Sequence, residues 1–209
     1  TGFTETEDKK SSRIWLVRTN AQGEQIWAHT FGSRQRNEGH SIFETEDGGY
    51  IIAGTTQSFF PNYEDVLVIR TDGEGKTLWE KTFGGQSWDY SSSVLQTRDA
   101  NFVIAGSSRL NDDSKADPWL MKLDSDGNPM WEQKYISSLS GEVHSIENTT
   151  DGGFIMVGTS TSIDGSPSNL LLIKTDVRGN IPDYDLKSDK SWGIVINGEE
   201  KYCGSNLNL

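Results

Sequence analysis

Two short pairs in this chain have the residue types for acid–base or metal chemistry. Glu38-Gly39-His40 and Glu142-Val143-His144 each set a carboxylate two positions before an imidazole. Two imidazoles with two carboxylates would suit a transition ion, and paired carboxylates are the tools of glycoside hydrolysis. No third or fourth ligand type converges on either pair in the sequence, so we assign no metal, no cofactor and no catalytic residue. Each histidine is expected instead to bond backbone where two structural units meet. Were the chain a carbohydrate-active enzyme, Glu38, Asp89 or Glu142 would have to act as acid or base.

A second group is aromatic. Phe59-Phe60-Pro61-Asn62-Tyr63 fills one variable segment, whose counterparts read Asn111-Asp112-Asp113-Ser114-Lys115 and Ile163-Asp164-Gly165-Ser166-Pro167. Trp88 stands in the next variable segment, where the sister positions hold Arg36 and Ser140. Phe59, Phe60, Tyr63 and Trp88 are therefore the binding candidates, suited to stacking on a sugar or anchoring a protein partner. The competing account is a small satellite core beneath a long loop. Asp124-Ser125-Asp126-Gly127-Asn128 resembles half of a calcium loop, but the closing Glu is missing and the sister copies lack the carboxylates, so a hairpin turn is expected. Asn148-Thr149-Thr150 has the form of a glycosylation sequon. Cys203 is the one cysteine, which leaves no intrachain disulfide to form.

These residues must be held by a repeated element. Trp27, Trp79 and Trp131 are spaced by 52, as are Gly54, Gly106 and Gly158, and Gly23, Gly75, Gly127 and Gly179. Gly2, the aromatics Phe31, Phe83 and Tyr135, the cations Arg18, Arg70, Lys122 and Lys174, and Ser41, Ser93 and Ser145 keep the same register. Each period reads as four strands: in the second full copy these are Ser93–Thr97, Phe102–Ser107, Pro118–Leu123 and Pro129–Tyr135. Asp47-Gly48-Gly49 and Asp151-Gly152-Gly153 supply the positive φ of a tight hairpin; Asp99-Ala100-Asn101 replaces them in the second copy, with Asn as the substitute. The second and third strands are continuously apolar, as in Tyr50-Ile51-Ile52-Ala53 and Leu67-Val68-Ile69, which calls for cover on both faces. The fourth strand sets Trp79 and Phe83 on one face and Glu80 on the other. Four strands per period with a recurring aromatic predict an all-β fold, a β-propeller of four-stranded antiparallel blades, with about four blades present. Trp15, Trp27, Trp79, Trp119 and Trp131 are read as packing residues.

The segment from Lys122 to Trp131, Lys-Leu-Asp-Ser-Asp-Gly-Asn-Pro-Met-Trp, resembles the Asp-x-x-Gly-x-x-x-Trp blade motif of quinoprotein-like propellers. That resemblance implies that Trp27, Trp79 and Trp131 dock one blade on the next. Phe83-Gly84-Gly85 and the run from Asp47 to Thr55 are similar to repeat arrays of secreted bacterial and archaeal proteins. The likeness covers residues 1 to about 181 and implies a fold rather than an activity; ligands for a quinone cofactor are not identifiable.

The repeat spans 1–190 and begins inside a unit, without its first strand. Asp183 stands where Trp belongs and Lys187 where Phe belongs, and 191–209 form a non-repeat tail whose Trp192–Asn197 segment could add a closing strand. Four blades is the smallest ring that closes, and a start at Thr1 reads as a processed or truncated end of a larger propeller. A net charge of −12 repels nucleic acid and anionic membrane surfaces. No apolar run is long enough to span a membrane as a helix. The expectation is an extracellular or cell-surface binding or structural module. It would meet protein or glycan at its variable loops and associate with further blades or copies.

Overall fold

The computed structural model describes residues 2–5, 11–32, 36–57, 63–110, 115–135, 140–161 and 169–181. Among these residues there are fourteen strands and no helix. The first sheet holds β1 (Gly2–Glu5), β2 (Ser12–Thr19) and β3 (Gln25–Phe31). The second holds β4 (Asn37–Glu44), β5 (Tyr50–Thr56), β6 (Asp65–Thr71) and β7 (Thr77–Phe83). The third holds β8 (Trp88–Gln96), β9 (Phe102–Arg109), β10 (Asp117–Leu123) and β11 (Pro129–Lys134). The fourth holds β12 (Ser140–Asn148), β13 (Phe154–Thr161) and β14 (Asn169–Thr175). Every sheet is an antiparallel meander in chain order.

Successive sheets pack face on face. Ile14 and Leu16 of the first meet Ile52, Leu67 and Ile69 of the second. Ile51, Ala53, Val66 and Val68 on the opposite face of the second meet Phe102, Ile104, Trp119 and Met121 of the third. Val103, Ala105 and Leu120 then meet Phe154, Met156, Leu171 and Ile173 of the fourth. Because neighbouring strand residues point to opposite faces, an apolar run without alternation fills both interfaces at once. β6 is accordingly buried at every residue, whereas β13 alternates between buried and open positions.

Trp27, Trp79 and Trp131 lie against the hairpin glycines Gly75, Gly127 and Gly179 of the following sheet, where a Cβ would come within 3.1, 3.0 and 2.8 Å of the indole. These glycines have φ of +79, +76 and +76°, so both space and backbone demand Gly. Trp119 is buried, but Trp15 is 42% exposed. It points away from the second sheet, and no described sheet lies on that side.

Three local features differ from the sequence reading. The first strand of the third sheet begins at Trp88 rather than Ser93, because pairing continues through a bulge between Ser91 and Ser93. The positive φ in the Asp99 hairpin falls on Ala100, at 59°, and not on Asn101. The recurring cations also have partners that the sequence reading left unassigned. Arg70 meets Asp47 at 2.6 Å, Lys122 meets Asp99 at 2.7 Å and Lys174 meets Asp151 at 2.8 Å, always 23 residues apart. Phe59, Phe60, Asp183, Lys187, Cys203 and the 191–209 tail lie outside the described residues.

Candidate functional site

β8, the first strand of the third sheet, lies against both β4 and β12, the first strands of the second and fourth sheets. Each carries a bulge at the same register, at His40, Ser92 and His144. A bulge leaves one residue without a cross-strand partner and re-aims its side chain. The opposite strand must come very close there: a Cβ on Gly54, Gly106 or Gly158 would collide with the carbonyl oxygen of Glu38, Tyr90 or Glu142. This explains a glycine in the middle of an otherwise apolar strand. The 52-residue glycine register was the sequence signal for the bulge.

All three bulge residues line one cleft of about 400 Å³, together with Tyr90, Arg109 and Glu142. The two acidic–histidine pairs therefore do converge, three of their four residues reaching the same cleft. Glu38 does not line it; its carboxylate takes hydrogen-bonded ion pairing from Arg36 at 2.7 Å and stands 3.9 Å from His40 Nε2. His40 Nδ1 is 2.6 Å from the Ser91 carbonyl of the next sheet, the backbone contact expected at a junction. His144 departs from that expectation. Its Nε2 meets Thr159 Oγ1 at 3.2 Å within its own sheet.

An aromatic group stands beside the cleft. Trp88 and Tyr90 are two residues apart on β8, and their rings stack at 6.4 Å with 11° between planes. The Arg109 guanidinium lies 5.5 Å from the Trp88 ring centre and 5.7 Å from that of Tyr90, a geometry in which the cation meets negative ring faces. Tyr63 meets Trp88 edge-on at 6.1 Å. The expected meeting of the two variable segments is thus present for Tyr63 and Trp88. Tyr90 and Arg109 were not singled out from the sequence; both break the repeat, since their counterparts are Glu38 and Glu142 at one position and Gln57 and Thr161 at the other. Burial raises the Tyr90 phenol above its ordinary range, and the Glu64 carboxylate adds to this against a hydrogen bond with Arg109.

Asp89 is buried and takes a 2.8 Å hydrogen bond from Ser87 Oγ. Its neighbour is Asp65, also buried; desolvation raises the Asp65 carboxyl, and the Asp89 charge raises it further. Asp89 is not among the residues that line the cleft. Among the described residues, no three His, Cys, Asp or Glu side chains gather as a metal site. In the Asp124 hairpin the carboxylate accepts the Asp126 and Asn128 amides at 3.0 and 2.7 Å, so it serves the turn. No protein family and no curated protein matches this chain.

Proposed function

We propose that this chain is a non-catalytic glycan-binding module built on a β-propeller of the quinoprotein-like kind, acting outside the cell or at its surface. The arrangement of sheets supports the propeller. Successive sheets are covered in chain order, and their first strands gather while their last strands carry the docking tryptophans at the far side. Blades set around an axis have this distribution.

The observation that carries the binding reading is the cleft on the gathered strands. Its volume of about 400 Å³ is in the range of small-molecule sites, and a concave site suits a sugar unit better than a flat protein patch. Trp88, Tyr90 and Arg109 hold one another rigid at its edge, which lowers the entropy lost when a sugar ring stacks there. Against hydrolysis, the lining contains a single carboxylate among the described residues, Glu142. Both glycosidase geometries need two carboxyls flanking the bond. Here Glu38 is held by Arg36, and Asp89 is buried beside Asp65.

A glycan array with the intact chain tests this. Binding of at least one glycan, weakened about tenfold or more by Tyr90→Ala, is the expected result. No retained glycan would remove the glycan reading. Release of reducing sugar that disappears in Glu142→Gln would make the protein an enzyme instead.

A further inference from the structure

We propose that Asp65 and Asp89 hold a calcium ion between the second and third sheets. Asp65 opens β6 and Asp89 is the second residue of β8. Both are buried, at 4 and 5% exposure. Their carboxylates converge. A Cβ on Gly84, in the loop that joins the two sheets, would collide with Asp65 Oδ1 and come within 3.0 Å of Asp89 Oδ2. The two oxygens thus lie no more than about 5 Å apart, the reach of two calcium–oxygen bonds of about 2.3–2.6 Å each. Asp89 Oδ2 accepts a hydrogen bond from Ser87 Oγ at 2.8 Å, but Asp65 Oδ1 has no hydrogen-bond partner. Among the described residues neither carboxylate has an ion pair with Lys or Arg. Two buried carboxylates side by side lose hydration and repel each other. Both effects raise the Asp65 carboxyl, against the Gly85 amide. A cation between them removes both.

The pair is a departure from the repeat. Fifty-two residues before Asp65 and Asp89 stand Arg13 and Asn37, and fifty-two residues after them stand Asp117 and Gly141. At the first junction Gly32, the counterpart of Gly84, approaches the neutral Asn37 amide instead. Sheet therefore packs on sheet without two acids, and their presence at this one junction needs another reason. The donors select the ion. Carboxylate and hydroxyl oxygens suit a hard cation rather than a transition metal. Magnesium gives up its water reluctantly, so a buried pair favours calcium. Ser87 Oγ and solvent would complete the shell. Two carboxylates are few, which sets the expected affinity at about 10⁻⁴–10⁻³ M, the range of extracellular calcium modules. The ion would tie β6 to β8 beside Trp88 and Tyr90, whether or not the cleft takes a glycan.

Calorimetric titration of the intact, EDTA-treated chain with calcium chloride tests the inference. One ion per chain is expected, with Tm raised by about 3 °C at calcium tenfold above its Kd. Magnesium should bind at least tenfold more weakly, and Asp65→Asn and Asp89→Asn should each weaken calcium binding at least tenfold. Each variant also removes the repulsion, so its Tm without calcium should equal or exceed that of the unaltered chain. Asp126→Asn, at an exposed hairpin acid, should bind calcium as the unaltered chain does. Terbium emission sensitised by Trp88 and reduced in Trp88→Phe would place the ion at β8 without altering a ligand. Calcium bound equally well by Asp65→Asn and Asp89→Asn would overturn the site. Binding weakened to the same degree in Asp126→Asn would mean diffuse attraction to an acidic surface and would overturn it as well. No calcium binding, with Tm unmoved by EDTA, would mean that the two acids share a proton in place of an ion.

Discussion

The third and fourth sheets are written in the same repeat, yet water meets them differently. Strands β9 and β10 of the third are buried along nearly their whole length, while β13 of the fourth is open at every other residue or partly so. Nothing in the local sequence separates them, since Val103 and Ile155 are both aliphatic at one register, as are Leu120 and Leu172. Burial is decided by the sheet next door. Among the described residues the middle sheets are wedged between two neighbours, and the end sheets have one.

Truncating one register position in both sheets should give the largest contrast. Leu120→Ala, at a fully buried site, should cost about 3 kcal/mol of unfolding free energy, the usual loss for a core leucine with little room to collapse. Leu172→Ala, at a half-buried site, should cost about 1 kcal/mol or less. Urea unfolding at dilute concentration measures both. Equal losses would mean that the face of the fourth sheet turned away from the third is covered after all.

The paired cations sharpen the same contrast. Lys122 is buried against Asp99, while Arg18 in the first sheet donates to the Gly73 carbonyl at 2.9 Å in an exposed setting. Asp99→Ala strands a buried ammonium. The loss should be about 2 kcal/mol, below that of a fully buried pair because the carboxylate is half exposed. Arg18→Ala should stay within about 0.5 kcal/mol. Burial pushes the Asp99 carboxyl up, but hydrogen bonds from Lys122, Thr97 and Asn101 outweigh it and hold the group well below the usual range. Bonds from Lys174, Thr149 and the Gly153 amide do the same for Asp151. A folded-state value below the unfolded one means the stabilisation is complete above about pH 4 and is lost as pH falls toward the folded value. Stability measured from pH 7 to 2 should therefore decline in acid, and Asp99→Asn should flatten part of that decline.

Hairpin glycines give a smaller and more pointed comparison. Gly127 and Gly23 have φ of +76 and +82°, so alanine costs each about 1 kcal/mol of backbone strain. At Gly127 the new methyl also meets the Trp79 ring, which must shift from its seat. Gly127→Ala should therefore lose about 1 kcal/mol more than Gly23→Ala. Matching losses in thermal or urea melts would show that the docking of Trp79 adds nothing to stability.

The register of 52 made the strands, hairpins and docking indoles readable, because each depends on residues inside one unit or at a fixed offset from it. Trp15 is exposed among the described residues for the complementary reason. Its type and register match Trp119, and only the neighbour differs. The Asp–cation pairs were present in the sequence as a constant spacing of 23, but an offset within a unit reveals a contact only once strand register is known. The cleft was legible in part. His40 and His144 share a register that the topology gathers, and Glu142 stands two residues before His144, whereas Tyr90 and Arg109 are departures from the residues their registers hold in the sister copies. Their partnership depends on β8 pairing with β9, which sets Trp88 opposite Arg109.

The smallest expected effect isolates a position where one unit departs from its sisters. Gly48 and Gly152 turn the first hairpin of the second and fourth sheets with φ of +79 and +85°, and Ala100 does so in the third at +59°. A left-handed backbone costs an L-residue about 1–2 kcal/mol, while glycine there gives back about 0.5–1 kcal/mol through the freer unfolded chain. Ala100→Gly should therefore stabilise the protein by about 0.5 kcal/mol. The Ala100 side chain is exposed, so no packing is lost. The hairpin bonds from the Ala100 amide to Thr97 and from Thr97 to the Asn101 carbonyl remain available. A small rise in urea midpoint with unchanged slope is the signature. A fall would mean that the third sheet, wedged on both sides, imposes the hairpin conformation so firmly that only the unfolded-chain entropy responds to the substitution.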